Sequence, residues 1–146
     1  LLEIVDIWHF GLSMRINPDR QHDIAAEVIV DEWAEAMTSR GFLSDVERLA
    51  EHALANQSFL VAAIPMLLND INRNFDDLYR NYVGKNVLNF FRQDHGYRDG
   101  TYVKIWQGRE DNEHLVEALS LVDTNDADFS RQLYEILEQR YPGAAG

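Results

Sequence analysis

Cysteine is absent from this chain of 146 residues. Disulfides and thiolate metal sites are therefore excluded, and the absence fits a reducing compartment. Proline is scarce, with only Pro18, Pro65 and Pro142, so helices meet few interruptions. No apolar run is long enough to cross a bilayer. The opening shows no basic, apolar, small-residue leader pattern, and a cytoplasmic location is expected. Positive charge is also in short supply: 13 Lys and Arg stand against 25 Asp and Glu, for a net charge of -12. That balance disfavours a general nucleic-acid binder, because phosphate backbones demand a basic surface. It does not disfavour a metal-dependent enzyme, since carboxylates are what hard cations require. Neither a nucleic acid nor a membrane is expected as a partner.

Lysine is scarcer still. Lys85 and Lys104 are the whole supply, and both fall between Tyr82 and Asn112 together with Arg92, Arg98 and Arg109. An acidic chain that gathers its cations in one segment is suited to hold an anion there. Tyr82, Tyr97, Tyr102, Asn86, Asn89 and Asn112 add directed hydrogen bonds, which fit a small phosphorylated ligand better than a polymer.

Helical periodicity dominates, and alternating strand patterns are essentially missing. Residues 1–16 read as an apolar, buried helix and 17–20 as a turn. Residues 22–38 read as an amphipathic helix, with Ile24, Val28, Ile29, Trp33 and Met37 on or near one face and Gly41 as its stop. Ser44 or a neighbour is expected to cap a helix running to about residue 56. Residues 58–80 read as one long helical stretch, bent near Pro65. A helix over 82–94 ends at His95–Gly96, and 96–109 is irregular. Asp111 reads as the N-cap of a helix to about 121, 124–128 as a turn, and the last helix reaches about Tyr141 before a fraying tail. The class is all-α, a helical bundle, expected to form a single domain over residues 1–146. The chain opens without a capping residue, as a chain entered mid-helix does. Upstream residues are expected to be missing, or supplied by something else.

On a helix over 82–94, Lys85, Asn89 and Arg92 share one face. They form a ladder of donors about 10 Å long by helical rise, a reach suited to a polyphosphate. Arg forks two oxygens and Lys acts as a point charge. The Gly-rich loop after it can bring Tyr97, Tyr102 and Lys104 over the same anion. The competing reading is a solvated face followed by a turn. The concentration of both lysines beside an aromatic loop favours binding.

Glu3 and Asp6 lie one turn apart in an otherwise apolar helix. Two readings stand side by side. They hold a hard cation such as Mg²⁺, or they sit at an exposed helix end and pair with arginines. His9 and Trp8 on the same helix read as core residues. Glu27, Asp31 and Glu35 form a polar stripe, read as a solvated face, with a second metal site as the minor reading.

Taken together, four blocks resemble the dimeric, all-α dUTPase family of nucleoside triphosphate pyrophosphatases. They are Glu3-x-x-Asp6-Ile7-Trp8-His9-Phe10, then Lys85-Asn86-x-Leu88-Asn89-x-x-Arg92, then Gly96-Tyr97-x-x-Gly100-x-Tyr102-x-Lys104-x-Trp106, then Glu110-Asp111-Asn112. The Glu-x-x-Asp piece alone is weak, while the block from Lys85 to Trp106 is long and specific. The resemblance implies hydrolysis of dUTP, or a related pyrimidine deoxynucleotide, to the monophosphate and pyrophosphate with Mg²⁺. It implies a homodimer. It makes Glu3 and Asp6 metal ligands and places His9, Phe10 and Asn112 at the nucleoside, with Phe10 able to crowd out a ribose 2′-hydroxyl. Lys85, Asn89, Arg92, Tyr97 and Lys104 would grip the phosphates. Metal ions would polarise those phosphates and generate the hydroxide, and the basic residues would stabilise charge on the leaving pyrophosphate.

One departure stands out. The family's EExxE motif, which supplies the remaining metal ligands and the water-activating glutamate, belongs upstream of Glu3, where this sequence has nothing. The DEWAE segment at 31–35 resembles it but follows Glu-x-x-Asp instead of preceding it. The alternatives to an enzyme are a nucleotide-binding or regulatory module with half a metal site, and a plain helical interaction domain. The basic-aromatic loop speaks against the last.

Overall fold

The computed structural model describes residues 1–15, 22–35 and 37–142. The turn expected at 17–20 and the last four residues of the tail lie outside them. The described residues carry seven helices and a two-stranded hairpin, and the all-α class holds. The chain gathers into two compact units, residues 1–78 and 79–146.

In the first unit, α1 (Leu2–Arg15) turns Ile4, Val5, Trp8 and Gly11 inward. A Cβ at Gly11 would stand 2.4 Å from the Phe59 ring, so only glycine permits that contact. α3 (Phe42–Asn56) and α1 both pack on α4 (Ala63–Asp70). α4 is the most deeply set helix, burying Ala63, Ile64, Met66, Leu67 and Leu68. α2 (His22–Trp33) is different, since none of its described side chains is fully buried. It ends earlier than the expected residue 38. The Ala34 N–H is shared between the carbonyls of Val30 and Asp31, both at 3.1 Å, a tightened last turn that closes a helix.

Other boundaries also differ from the sequence reading. Gly41 does not stop α2. With φ at 97° it precedes α3 as its N-cap, without the side-chain cap hydrogen bond expected of Ser44 or a neighbour. The buried Asp45 instead ties down the segment before the helix. That carboxylate accepts hydrogen bonds from Ser39 Oγ at 2.6 Å and from the Arg40 N–H at 3.2 Å. The expected helix over 58–80 is two helices, α4 and the start of α5 (Phe75–Asp94). Between them Asn72 takes a left-handed conformation at φ 54°. Asn74 and Asp77 then exchange hydrogen bonds, Asp77 N–H to Asn74 Oδ1 at 3.0 Å and Asn74 N–H to Asp77 at 3.2 Å, a reciprocal cap. Pro65 lies in the first turn of α4 and bends nothing, because a first-turn N–H has no intrahelical acceptor.

The second unit is built on α5, α6 (Asp111–Leu121) and α7 (Phe129–Arg140), with α6 packed on α7. Their core joins Val87, Leu88, Phe91, Trp106, Leu119 and Leu137. The expected irregular stretch 96–109 ends in a hairpin, β1 (Ile105–Trp106) paired antiparallel with β2 (Arg109–Glu110). Gln107 and Gly108 both have positive φ, at 50° and 78°, the pair of conformations that a two-residue hairpin loop requires. Glu110, not Asp111, caps α6. Its N–H donates to the Glu113 carboxylate at 2.8 Å in a capping box. That leaves Asp111 inside the first turn and fully buried.

Candidate functional site

Helix α5 puts Lys85, Asn89 and Arg92 at i, i+4 and i+7, on one face. Val87, Leu88 and Phe91 bury an adjoining side, which fixes the helix about its axis. The loop after α5 folds back through Gly96, whose φ is 84° and whose imagined Cβ would stand 2.0 Å from Thr101 Oγ1. The Gly96 carbonyl accepts the Thr101 N–H at 3.1 Å, and the Arg92 carbonyl accepts the Tyr97 N–H at 2.9 Å.

This return brings Tyr102 and Asp111 to Arg92. The Asp111 carboxylate accepts hydrogen bonds from Arg92 Nε at 2.8 Å, from Arg92 Nη2 at 2.9 Å and from the Tyr102 hydroxyl at 2.9 Å. Arg92 Nη1 also donates to Asn89 Oδ1 at 3.3 Å. The Asp111 N–H is held by the Lys104 carbonyl at 3.0 Å. Burial works against the charge on Asp111, but the hydrogen bonds from Arg92 and Tyr102 outweigh it and hold its carboxyl below the usual carboxylate range. Its place in the first turn of α6 adds the favourable end of the helix dipole. Burial, and then the hydrogen bond to Asp111, push the Tyr102 hydroxyl well above its ordinary value.

Of the sequence-derived site residues in this unit, Arg92 and Asn89 are in direct contact. The Tyr97 ring lies 6.0 Å from that of Tyr102 and is largely exposed. Lys104 extends into solvent, where its Nζ pairs with Glu110 at 3.2 Å. Asn112 is exposed beside Asp111. In the first unit, Glu3 is exposed and Asp6 half-buried, one turn apart on α1. His9 is half-buried with its ring 6.3 Å from that of Phe10, which is 71% exposed. An apolar cavity of about 500 Å³ opens in the same unit, lined by Trp8, Leu12, Ile29, Trp33 and Phe75 among others.

Sequence reasoning missed the central role of Asp111. Its signal was a carboxylate followed by a helix, and that reads as a cap. Only the hairpin geometry turns it inward.

One further set imitates a nucleophilic triad. His52 Nε2 lies 2.9 Å from Ser58 Oγ, and Asn56 Nδ2 lies 3.3 Å from His52 Nδ1. The Asn56 amide nitrogen also donates to the His52 carbonyl at 3.2 Å, which fixes it as a donor. Nδ1 is then the acceptor, and Nε2 carries the proton toward Ser58. A base for that hydroxyl needs the reverse arrangement, so this is a helix C-terminal contact.

A family model described as dUTPase matches residues 1–97. The chain belongs to the all-α dUTPase family. At the level of that dUTPase family, the chemistry is hydrolysis of dUTP. The match takes in Glu3, Asp6, His9, Phe10, Lys85, Asn89, Arg92 and Tyr97. Tyr102, Lys104, Asp111 and Asn112 lie beyond it. No curated protein matches the chain.

Proposed function

We propose that this chain hydrolyses dUTP, or a related pyrimidine deoxynucleotide, to the monophosphate and pyrophosphate with Mg²⁺. The observation that carries the reading is the α5 face on which Lys85, Asn89 and Arg92 stand, in a chain of net charge -12. On this reading Lys85, Asn89, Arg92, Tyr97 and Lys104 hold the phosphates, and His9, Phe10 and Asn112 contact the nucleoside.

The donor set on α1 fits the metal by type. Mg²⁺ keeps several waters and takes one or two carboxylates plus substrate phosphates, and Glu3 and Asp6 offer two carboxylates one turn apart. Bound there, the ion would polarise a phosphate and lower the pKa of a water. Among the described residues no three His, Asp or Glu side chains gather as a metal cage. A second reading is nucleotide binding without turnover, which needs only the cations.

The cations stabilise negative charge as it gathers on the departing pyrophosphate, which needs fixed donors more than flexible ones. Arg92→Ala is expected to weaken binding of a non-hydrolysable dUTP analogue by roughly 1.5–3 kcal/mol, the scale of a hydrogen bond to a charged group. Calorimetric titration with UTP, dTTP and dCTP as controls measures it. Unchanged affinity would remove the phosphate ladder from the account.

We also propose that the chain associates as a homodimer. Support comes from Phe10 and Met14 on α1 and Ile24, Val28 and Val30 on α2, all exposed, more apolar surface than a lone unit comfortably shows water. Light scattering is expected to give twice the 16.9 kDa chain mass. A clean monomer at high concentration would sink the proposal.

A further inference from the structure

A guanidinium carries five N–H groups arranged on two usable edges. On Arg92, Asp111 takes the edge formed by Nε and Nη2, and Asn89 takes one Nη1 hydrogen. One hydrogen on each Nη remains, and the edge between the two Nη atoms is the one that forks an oxyanion end-on. Exposure agrees with that division. The Asp111 side chain is 0% exposed and that of Arg92 is 18% exposed, so the carboxylate is sealed while the arginine keeps some contact with solvent.

We propose that Asp111, supported by Tyr102, is a positioning residue that clamps one edge of the Arg92 guanidinium so that the opposite edge is presented to two oxygens of a polyphosphate. This role rests on the reading of Arg92 as a phosphate ligand. The clamp is itself rigid. Asp111 is anchored through its own N–H to Lys104, and the Tyr102 ring stacks on Tyr141 at 5.6 Å and 8°. An arginine so held has already lost the rotamer freedom that a free side chain gives up on binding. Asp111 also opposes the anion by charge, so deleting the charge and displacing the clamp act in opposite directions. Asp111→Glu keeps the charge and moves the carboxylate, and so isolates position.

The first test uses the unaltered chain. ¹⁵N NMR of the arginine side chains during titration with inorganic triphosphate is expected to move the Arg92 Nη resonances and leave Nε in place. An Nε that moves as far as Nη, or an Arg92 that does not respond, would overturn the clamp. Second, Asp111→Glu is expected to lose about tenfold in affinity for triphosphate and for a non-hydrolysable dUTP analogue, roughly one charge-assisted hydrogen bond, with deoxyuridine binding unchanged. Equal loss for deoxyuridine would mean a structural role only and would overturn the proposal. If triphosphate binds through the Nη edge but the dUTP analogue binds no better than triphosphate, the clamp stands and the nucleotide reading falls. If neither ligand binds, both fall.

Discussion

Replacing Asp111 with alanine is expected to destabilise the second unit by about 3 kcal/mol, the low end for removing one partner of a buried ion pair. The low end applies because Arg92 keeps some access to water, with 18% of its side chain exposed. The loss has three parts. Arg92 keeps a charge with no counterion beside it, the Tyr102 hydroxyl loses its acceptor, and α6 loses a carboxylate in its first turn. Urea unfolding followed by tryptophan fluorescence measures it, since Trp106 lies in the same core. The pH dependence has a definite sign. The native carboxyl of Asp111 titrates below its ordinary value, so its stabilising effect is complete above the unfolded pKa of about 3.9. That effect is lost as pH falls through the lower, native value. The gap between the parent chain and Asp111→Ala should therefore be constant near neutrality and close only under strong acid. The exposed pair Arg131–Asp128 is the control, and its removal should leave the unfolding midpoint unchanged. A midpoint for Asp111→Ala equal to the parent's would contradict the pairing on which the site is built.

Asp6→Asn is expected to raise the Mg²⁺ needed for half-maximal dUTP turnover by at least about a hundredfold. Altering the groups that merely support a metal ligand already costs up to that much. The amide keeps the shape of the side chain but withdraws the negative charge that a hard cation requires. Glu3→Gln should behave alike, because the two carboxylates share a face of α1. The comparison variant is Asp31→Asn, on the exposed stripe of α2, which should leave the Mg²⁺ curve where it is. If Asp6→Asn also leaves it there, the acids of α1 are surface charge and the metal is held elsewhere.

The sequence made much of this molecule legible, for identifiable reasons. α6 and α7 follow from apolar periodicity with polar breaks at their ends, and α1 from its apolar composition. The face shared by Lys85, Asn89 and Arg92 needs only 3.6 residues per turn. The break at Asn72 was hidden because neither Gly nor Pro marks it. Asn can take the left-handed conformation, and the Asn74-x-x-Asp77 cap that restarts the helix was the available signal. The hairpin was hidden by its length, since two residues per strand leave no alternation to detect. Its Gln107–Gly108 turn was the remaining trace. The pairing of Arg92 with Asp111 was not legible at all. Nineteen residues separate the two, and their contact depends on a positive φ at Gly96 and a hairpin register that places Trp106 opposite Arg109. Sequence spacing identified the cations, but only tertiary geometry shows which edge of one of them is already occupied.

The central claim, that this chain is a dUTP pyrophosphohydrolase, is tested most directly by supplying it with dUTP and Mg²⁺ and measuring dUMP and pyrophosphate together, with UTP and dTTP in parallel. The account predicts equal amounts of both products from dUTP and far slower release from UTP and dTTP. No release from dUTP, at concentrations where the non-hydrolysable analogue binds, would contradict it and leave a nucleotide-binding module in its place.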